Sequence, residues 1–134
     1  MKLRIRGNSL RLRLTQGEVA RLDETGRVEE EIVFAPGVSL RYAVEVRDGL
    51  DVARADYDDG RLRVAVPHAV VRRWITSDDE GIAVEQPNGS AEPLRLAIEK
   101  DFACLHREGE AEDAYPNPAA QSPSHRQMES AQSA

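Results

Sequence analysis

The sequence predicts a mainly β, α+β protein built from two tandem ββαββ units that share one core. Three observations carry this. Apolar and polar residues alternate with a period of two through most of residues 1–100, as in Leu10, Leu12 and Leu14 against Arg11 and Arg13. That period marks strands with one buried and one solvent-facing side. Turn signals punctuate the alternation at Gly7-Asn8-Ser9, Ala35-Pro36-Gly37, Asp58-Asp59-Gly60 and Pro87-Asn88-Gly89. The same order of elements also occurs twice at a constant offset of 52 residues.

The elements follow in order. Leu3 and Ile5 alternate with Arg4 and Arg6, and a turn at Gly7-Asn8-Ser9 leads into the Leu10, Leu12, Leu14 strand. Thr15-Gln16-Gly17-Glu18 has the spacing of a capping box, so a short helix follows with Val19 and Leu22 inward. Gly26 suits a left-handed cap at its end. Two strands come next, Val28 to Phe34 and Leu40 to Arg47. A strand through Ala53, Ala55 and Tyr57 then turns at Asp58-Asp59-Gly60 into Leu62, Val64 and Val66. Pro67 is placed in the first turn of a second helix, where its missing N–H costs nothing. Val70, Val71, Trp74 and Ile75 share one face of that helix, which makes Trp74 a core residue. Ile82 and Val84 form a strand, and Leu94, Leu96 and Ile98 form the last one.

At the offset of 52, Leu10, Leu12 and Leu14 fall on Leu62, Val64 and Val66, and Tyr42, Val44 and Val46 fall on Leu94, Leu96 and Ile98. The match fails where Val28 meets Glu80, Phe34 meets Gln86 and Leu40 meets Glu92. A unit of about 45 residues buries too little surface to be stable alone. Two units, 2–47 and 53–100, therefore form a single domain over 1–106, a dimer fused into one chain with pseudo-twofold symmetry and expected as a monomer. From Arg107 onward the sequence is rich in Glu, Ala, Pro, Ser and Gln, with Tyr115 and Met128 as its only large apolar residues. Residues 107–134 read as a flexible acidic tail.

Composition narrows the function. The chain has 134 residues and a net charge of −6, which excludes a uniformly basic nucleic-acid coat. The charge is uneven. Residues 1–50 carry nine basic and eight acidic groups, residues 51–106 carry seven and eleven, and residues 107–134 carry two and five. Lysine occurs only at Lys2 and Lys100, so arginine supplies almost all the positive charge. No apolar run approaches the roughly 18 residues of a membrane helix, and the N-terminus has no signal-peptide core. One cysteine, Cys104, precludes an intrachain disulfide, and the expected location is the cytoplasm.

The stretch from Arg6-Gly7-Asn8-Ser9 through Thr15-Gln16-Gly17-Glu18-Val19 resembles the opening of SpoVT/AbrB-type domains, including MazE-like antitoxins. Gly60-Arg61-Leu62-Arg63-Val64-Ala65-Val66-Pro67 resembles the same pattern, with the helix-starting proline but without the Gly-Asn-Ser turn. The resemblance covers most of residues 2–100. It implies a swapped-hairpin barrel, with DNA bound by arginines near the first hairpin. The whole sequence also resembles a bacterial family of uncharacterised proteins, through its Met-Lys-Leu-Arg-Ile-Arg-Gly-Asn-Ser opening and its Ile98-Glu99-Lys100-Asp101-Phe102-Ala103-Cys104-Leu105-His106 ending. That second resemblance implies no activity.

Arg4, Arg6, Arg11 and Arg13 lie on the solvent side of the first hairpin and form the sharpest functional feature. Such a face can meet phosphates, with an arginine or Asn8 reaching base edges of duplex DNA. The competing reading is a solvated face paired with Glu29, Glu30 and Glu31 on a neighbouring strand. The second unit argues against a symmetric reader, because Arg4 falls on Asp56 and Arg6 on Asp58, while only Arg11 keeps a basic counterpart, Arg63. Cys104 and His106 with Asp101 fall short of a metal site, since four ligands at characteristic spacing are absent. Cys104 with His68 or His106 lacks an activating motif for nucleophilic catalysis. No cofactor, metal or catalytic residue is assigned. The expected function is a small cytoplasmic regulator that binds DNA or a protein through the Arg4, Arg6, Arg11 and Arg13 face and the tail. The alternative is a non-DNA protein-interaction or accessory module that retains only the scaffold. In the antitoxin-like case the acidic tail would fold on a basic protein partner.

Overall fold

Local rules set the first hairpin and helix. In the computed structural model, which describes residues 1–101, β1 (Lys2–Arg6) turns through Gly7 at φ 54° into β2 (Ser9–Leu14). A positive φ at the first central residue twists the turn in the sense the strands need. The capping box forms as the sequence predicts. Thr15 Oγ1 accepts from the Glu18 amide at 3.2 Å, and Glu18 Oε1 accepts from the Thr15 amide at 2.9 Å. Helix α1 (Gln16–Thr25) then ends at Gly26, φ 80°, whose amide donates to the Leu22 carbonyl.

Strands β3 (Arg27–Ala35) and β4 (Val38–Val46) form a long hairpin, followed by β5 (Arg54–Asp58) and β6 (Arg61–Val66). The β5–β6 turn has both central residues at positive φ, Asp59 at 50° and Gly60 at 74°, the geometry of a tight type I′ connection. A side chain at position 60 would also be placed 3.0 Å from the Ser39 carbonyl. Helix α2 (His68–Thr76) begins one residue later than the sequence suggests. Pro67 is its N-cap, and the Pro67 carbonyl accepts from the amides of Val70 and Val71. Proline supplies no amide, so it serves as well just before the helix as in its first turn. Strands β7 (Gly81–Gln86) and β8 (Leu94–Lys100) complete the described residues. Cys104, His106 and the tail 107–134 lie outside them.

The described residues are mainly β, with two four-stranded sheets and two helices. The first sheet has the order β1-β2-β8-β7 and the second β3-β4-β6-β5. Each sheet thus takes one hairpin from residues 2–46 and one from residues 54–100. The joins are parallel, β2 to β8 and β4 to β6, and every other pairing is antiparallel.

The sheet registers correct the gap-free offset of 52. With β2 set on β6 at that offset, Leu10 pairs with Leu96 and Leu62 pairs with Tyr42. Strands β4 and β8 therefore correspond at 54, as do β3 and β7 through Val28↔Val44 and Ile82↔Ile98. Residues 77–80 separate α2 from β7, whereas Gly26 alone separates α1 from β3, and this longer link absorbs the shift. At 54, Val28 stands on Ile82 and Leu40 on Leu94, which removes two of the three mismatches.

The expected barrel is also corrected, because the two sheets remain open. Side chains, not backbone ladders, join their edges. The Gln86 carboxamide accepts from the Ala55 amide at 2.7 Å and donates to the Ala55 carbonyl at 2.8 Å. A side chain interposed in this way holds β5 and β7 farther apart than the roughly 4.8 Å of a ladder. On the side where β1 starts, the Met1 ammonium donates to Glu18 and Glu30, and the Tyr42 hydroxyl donates to Glu30 at 2.8 Å.

Residues 1–101 form one compact unit around a single core. The inner faces supply Leu12, Leu96 and Ile98 from one sheet and Val44, Val64 and Val66 from the other, all no more than 2 % exposed. Leu22 of α1 and Val71 and Trp74 of α2 are buried in the same cluster. Burying each such side chain contributes about 1.5–3 kcal/mol. No helix of the described residues is long and apolar enough to cross a membrane.

Candidate functional site

Period-two alternation places Lys2, Arg4 and Arg6 on the outer side of β1, and the hairpin register sets Arg13, Arg11 and Ser9 opposite them. The parallel join to β8 extends this face to Glu99, Ala97 and Arg95. Strand β7 ends it with Gly81, Ala83 and Glu85. The outer face of the first sheet therefore carries six cations, Lys2, Arg4, Arg6, Arg11, Arg13 and Arg95, against two acids, Glu85 and Glu99.

The centre of this face is concave. A trough of about 400 Å³ runs across β2 and β8, with the small side chains of Ala83 and Ala97 on its floor and Arg4, Arg6, Arg11 and Arg95 among its lining. Two acids stand at it, Glu85 in its lining and Glu99 beside it. Glu85 is 4.0 Å from Arg95 Nε, both well exposed, and Glu99 is 3.6 Å from Arg11 Nε. An exposed pair such as Glu85–Arg95 contributes about 0–1 kcal/mol.

The five residues expected to contact nucleic acid do not all stand at the same level. Arg4, Arg6 and Arg11 are exposed on the face as expected. Arg13 shares the face but is a correction to the expectation of a solvent-facing group. It is only 8 % exposed, and its Nε donates to Glu99 Oε1 at 3.3 Å. It sits near the helix end of β2, where Leu12 and Leu14 are fully buried. Asn8 is also committed elsewhere. Its Nδ2 donates to the carbonyls of Glu92 and Pro93 at 3.2 and 3.0 Å, and its backbone carbonyl accepts from the Arg95 amide. Asn8 thus ties the first hairpin to the start of β8, and does not present its amide to a base edge. The expected screening of the arginines by Glu29, Glu30 and Glu31 is not present either. Those acids belong to the second sheet, where Glu29 pairs with Arg27, Glu31 with Arg41 at 2.7 Å, and Glu30 with Tyr42.

Arg95 is the residue that sequence reasoning missed. Alternation with Leu94 and Leu96 marks it as outward-facing, but nothing local indicates that β8 lies beside β2. His68 is exposed at the start of α2, away from these residues in sequence and sheet. Among the described residues no group of three or more His, Cys, Asp and Glu side chains is arranged to hold a metal.

Residues 1–119 match a family of unknown function, DUF7009. The chain belongs to this family. No curated protein and no solved structure matches it.

The outer face of the second sheet has the same layout and a different charge. Its rows read Arg54, Ala65, Glu45, Arg27, then Asp56, Arg63, Ala43, Glu29, then Asp58, Arg61, Arg41, Glu31. Five arginines meet five acids there. Ala43, which corresponds to Ala97 on the trough floor, is only 2 % exposed.

Proposed function

We propose that this member of DUF7009 is a small regulator that binds duplex DNA through the outer face of its first sheet. The observation that carries the reading is the concentration of six cations against two acids on one sheet face, in a chain whose net charge is −6. Guanidinium groups spaced along adjacent strands match phosphates along a backbone, and they bind by releasing counterions. In this reading the chain is a monomeric, cytoplasmic protein of SpoVT/AbrB type, with two tandem ββαββ units in pseudo-twofold arrangement. The exchange of hairpins between the two sheets supports that architecture. Arg4, Arg6, Arg11 and Arg95 engage the phosphates, Arg13 supports them through Glu99, and Asn8 positions β8. No catalytic chemistry, cofactor or metal is part of it.

Fluorescence anisotropy with a labelled duplex tests the proposal. Binding is expected at low salt and should weaken steeply as salt rises. The triple replacement Arg6→Ala, Arg11→Ala, Arg95→Ala should lower the salt slope by about 0.9 for each phosphate no longer neutralised. No duplex binding at low salt would overturn it.

One observation favours a second reading, a protein-interaction module. The tip of the β3–β4 hairpin exposes Ile32, Val33, Phe34 and Val38, each between 44 % and 68 %. These residues lie beyond Arg41, where pairing to β6 begins, so the apolar tip overhangs the sheet. In that reading the tail 107–134 also engages a basic partner. Affinity purification of the full chain, compared with a chain ending at residue 106, separates the two. Partner capture that depends on the tail supports the module, and capture of nucleic acid by both chains supports the regulator.

A further inference from the structure

We propose that the trough on the first sheet is a seat for a phosphate-bearing ligand, holding one phosphoryl group or two adjacent ones between the guanidinium groups of Arg6, Arg11 and Arg95. This deepens the duplex-binding reading and rests on it where the phosphate belongs to a nucleic-acid chain. The seat itself requires only phosphate chemistry, and a free phosphate ester offers the same groups.

Shape and charge converge on this assignment. The trough holds about 400 Å³, which falls at the lower end of the roughly 300–1,000 Å³ of small-molecule sites and exceeds what a single small anion fills. Its floor is made of Ala83 and Ala97, so a ligand can approach the sheet closely. Arginines approach from different strands. Arg6 comes from β1, Arg11 from β2 and Arg95 from β8, with Arg4 also lining the space. Planar forks arriving from several directions suit a tetrahedral oxyanion, which offers acceptors on every side. Glu85, which itself lines the trough, is 4.0 Å from Arg95, and Glu99, held by Arg13 at 3.3 Å, is 3.6 Å from Arg11, so at Arg95 and Arg11 an incoming phosphate competes with weak pairs.

The second sheet serves as an internal control. The positions that correspond to Ala83, Ala97, Arg4 and Arg6 are Glu29, Ala43, Asp56 and Asp58. Glu29 replaces one of the two floor alanines, aspartates replace Arg4 and Arg6, and Ala43 is closed over, while Arg11 and Arg95 keep arginine counterparts in Arg63 and Arg41. The open floor with three cations around it is therefore found on the first sheet and not at the corresponding place on the second. The seat also needs both halves of the chain, since Arg6 and Arg11 come from the first hairpin and Arg95 from the last.

The test uses the full chain and pyrophosphate as the probe, followed by amide NMR in a background of constant chloride. Saturable shifts are expected at Arg11, Ala83 and Ala97. Binding should fall at least tenfold in Arg95→Ala, and also in Ala83→Glu, which copies the second sheet. Arg61→Ala on the second sheet should leave it unchanged. Both Arg95 and Ala83 are exposed, and matching spectra away from the trough confirm that the variants fold. Shifts spread over all cationic surfaces, equal loss in Arg61→Ala, or no binding would overturn the seat. A duplex is then added to the pyrophosphate complex. Displacement of pyrophosphate supports both the seat and the duplex reading. A trough that holds pyrophosphate while no duplex binds keeps the seat and defeats the duplex reading. A duplex that binds without displacing pyrophosphate keeps the seat and defeats the reading that the duplex binds through this face.

Discussion

The two sheets of this protein share a layout and differ in what they present outward. Their inner faces are alike, with Leu12, Leu96 and Ile98 facing Val44, Val64 and Val66 in one core. Their outer faces diverge. The first gathers six cations and two acids around an open trough, and the second sets five arginines against five acids. A core constrains volume and polarity on both sides equally. A solvent-facing side chain costs little to change, so one scaffold can carry two different surfaces. The difference concentrates net positive charge on one side of the described residues.

The largest expected effect tests the shared part. Leu12→Ala should lower stability by about 2–5 kcal/mol, and thermal unfolding should remain a single transition. Two separate transitions would show that the halves do not share a core. Converting the first outer face towards the second comes next. The triple change Arg4→Asp, Arg6→Asp, Ala83→Glu should weaken duplex binding on the order of 100-fold by removing cations and adding acids. It should shift the melting temperature little, and anisotropy with a parallel melt checks both parts.

The seams between the sheets give smaller effects. Gln86→Ala removes both bonds to Ala55 and should cost about 1–3 kcal/mol, because partly buried peptide groups lose their partner. On the opposite seam, Glu18 is held below the usual carboxylate pKa. Burial opposes its charge, but bonds from the Met1 ammonium and the Thr15 amide outweigh that burial. A carboxyl with a lowered folded pKa contributes stability above its unfolded pKa, 4.5 here, and loses it as pH falls through the folded value. The melting temperature should therefore drop below about pH 4.5, and Glu18→Gln should flatten that limb. Burial and the neighbouring Glu30 push the Tyr42 hydroxyl up to about 12, so it stays a donor well above neutral pH. The smallest effect concerns Arg63, whose buried Nε has no hydrogen-bond partner among the described residues. Replacing it with Met should change stability by less than about 1 kcal/mol and can raise it, because an unsatisfied donor is removed while the apolar stem is kept. Chemical denaturation resolves this.

Elements with local causes were legible in the residues. The capping box at Thr15 and Glu18, the left-handed Gly26 and the Asp59-Gly60 turn all depend on neighbours within a few positions. The alternation that sorts Leu12 inward and Arg11 outward is equally local. Register between distant strands was not legible. Offsets of 52 and 54 keep the same faces because both are even. The better matches at 54, Val28 with Ile82 and Leu40 with Leu94, require a gap after the second helix that a gap-free offset does not admit. The registers of β2 with β8 and of β4 with β6 fix the offset at 54. The candidate site followed the same division. Arg4, Arg6 and Arg11 could be named from one hairpin, whereas Arg95 needed the neighbour of that hairpin to be known. The burial of Arg13 and the engagement of Asn8 with Glu92 and Pro93 likewise depend on groups more than 80 residues away.

By itself, then, the sequence determined a mainly β chain, its turns and helix caps, its inner and outer faces, and an arginine stripe on the first hairpin. These follow from period and from short-range hydrogen bonding. Tertiary structure decided that the last hairpin joins the first and that the two sheets stay open. It also decided that arginines from both ends of the described chain surround one trough. Such outcomes depend on pairing between strands far apart in sequence, where many registers satisfy the same local pattern and only the shared core selects one.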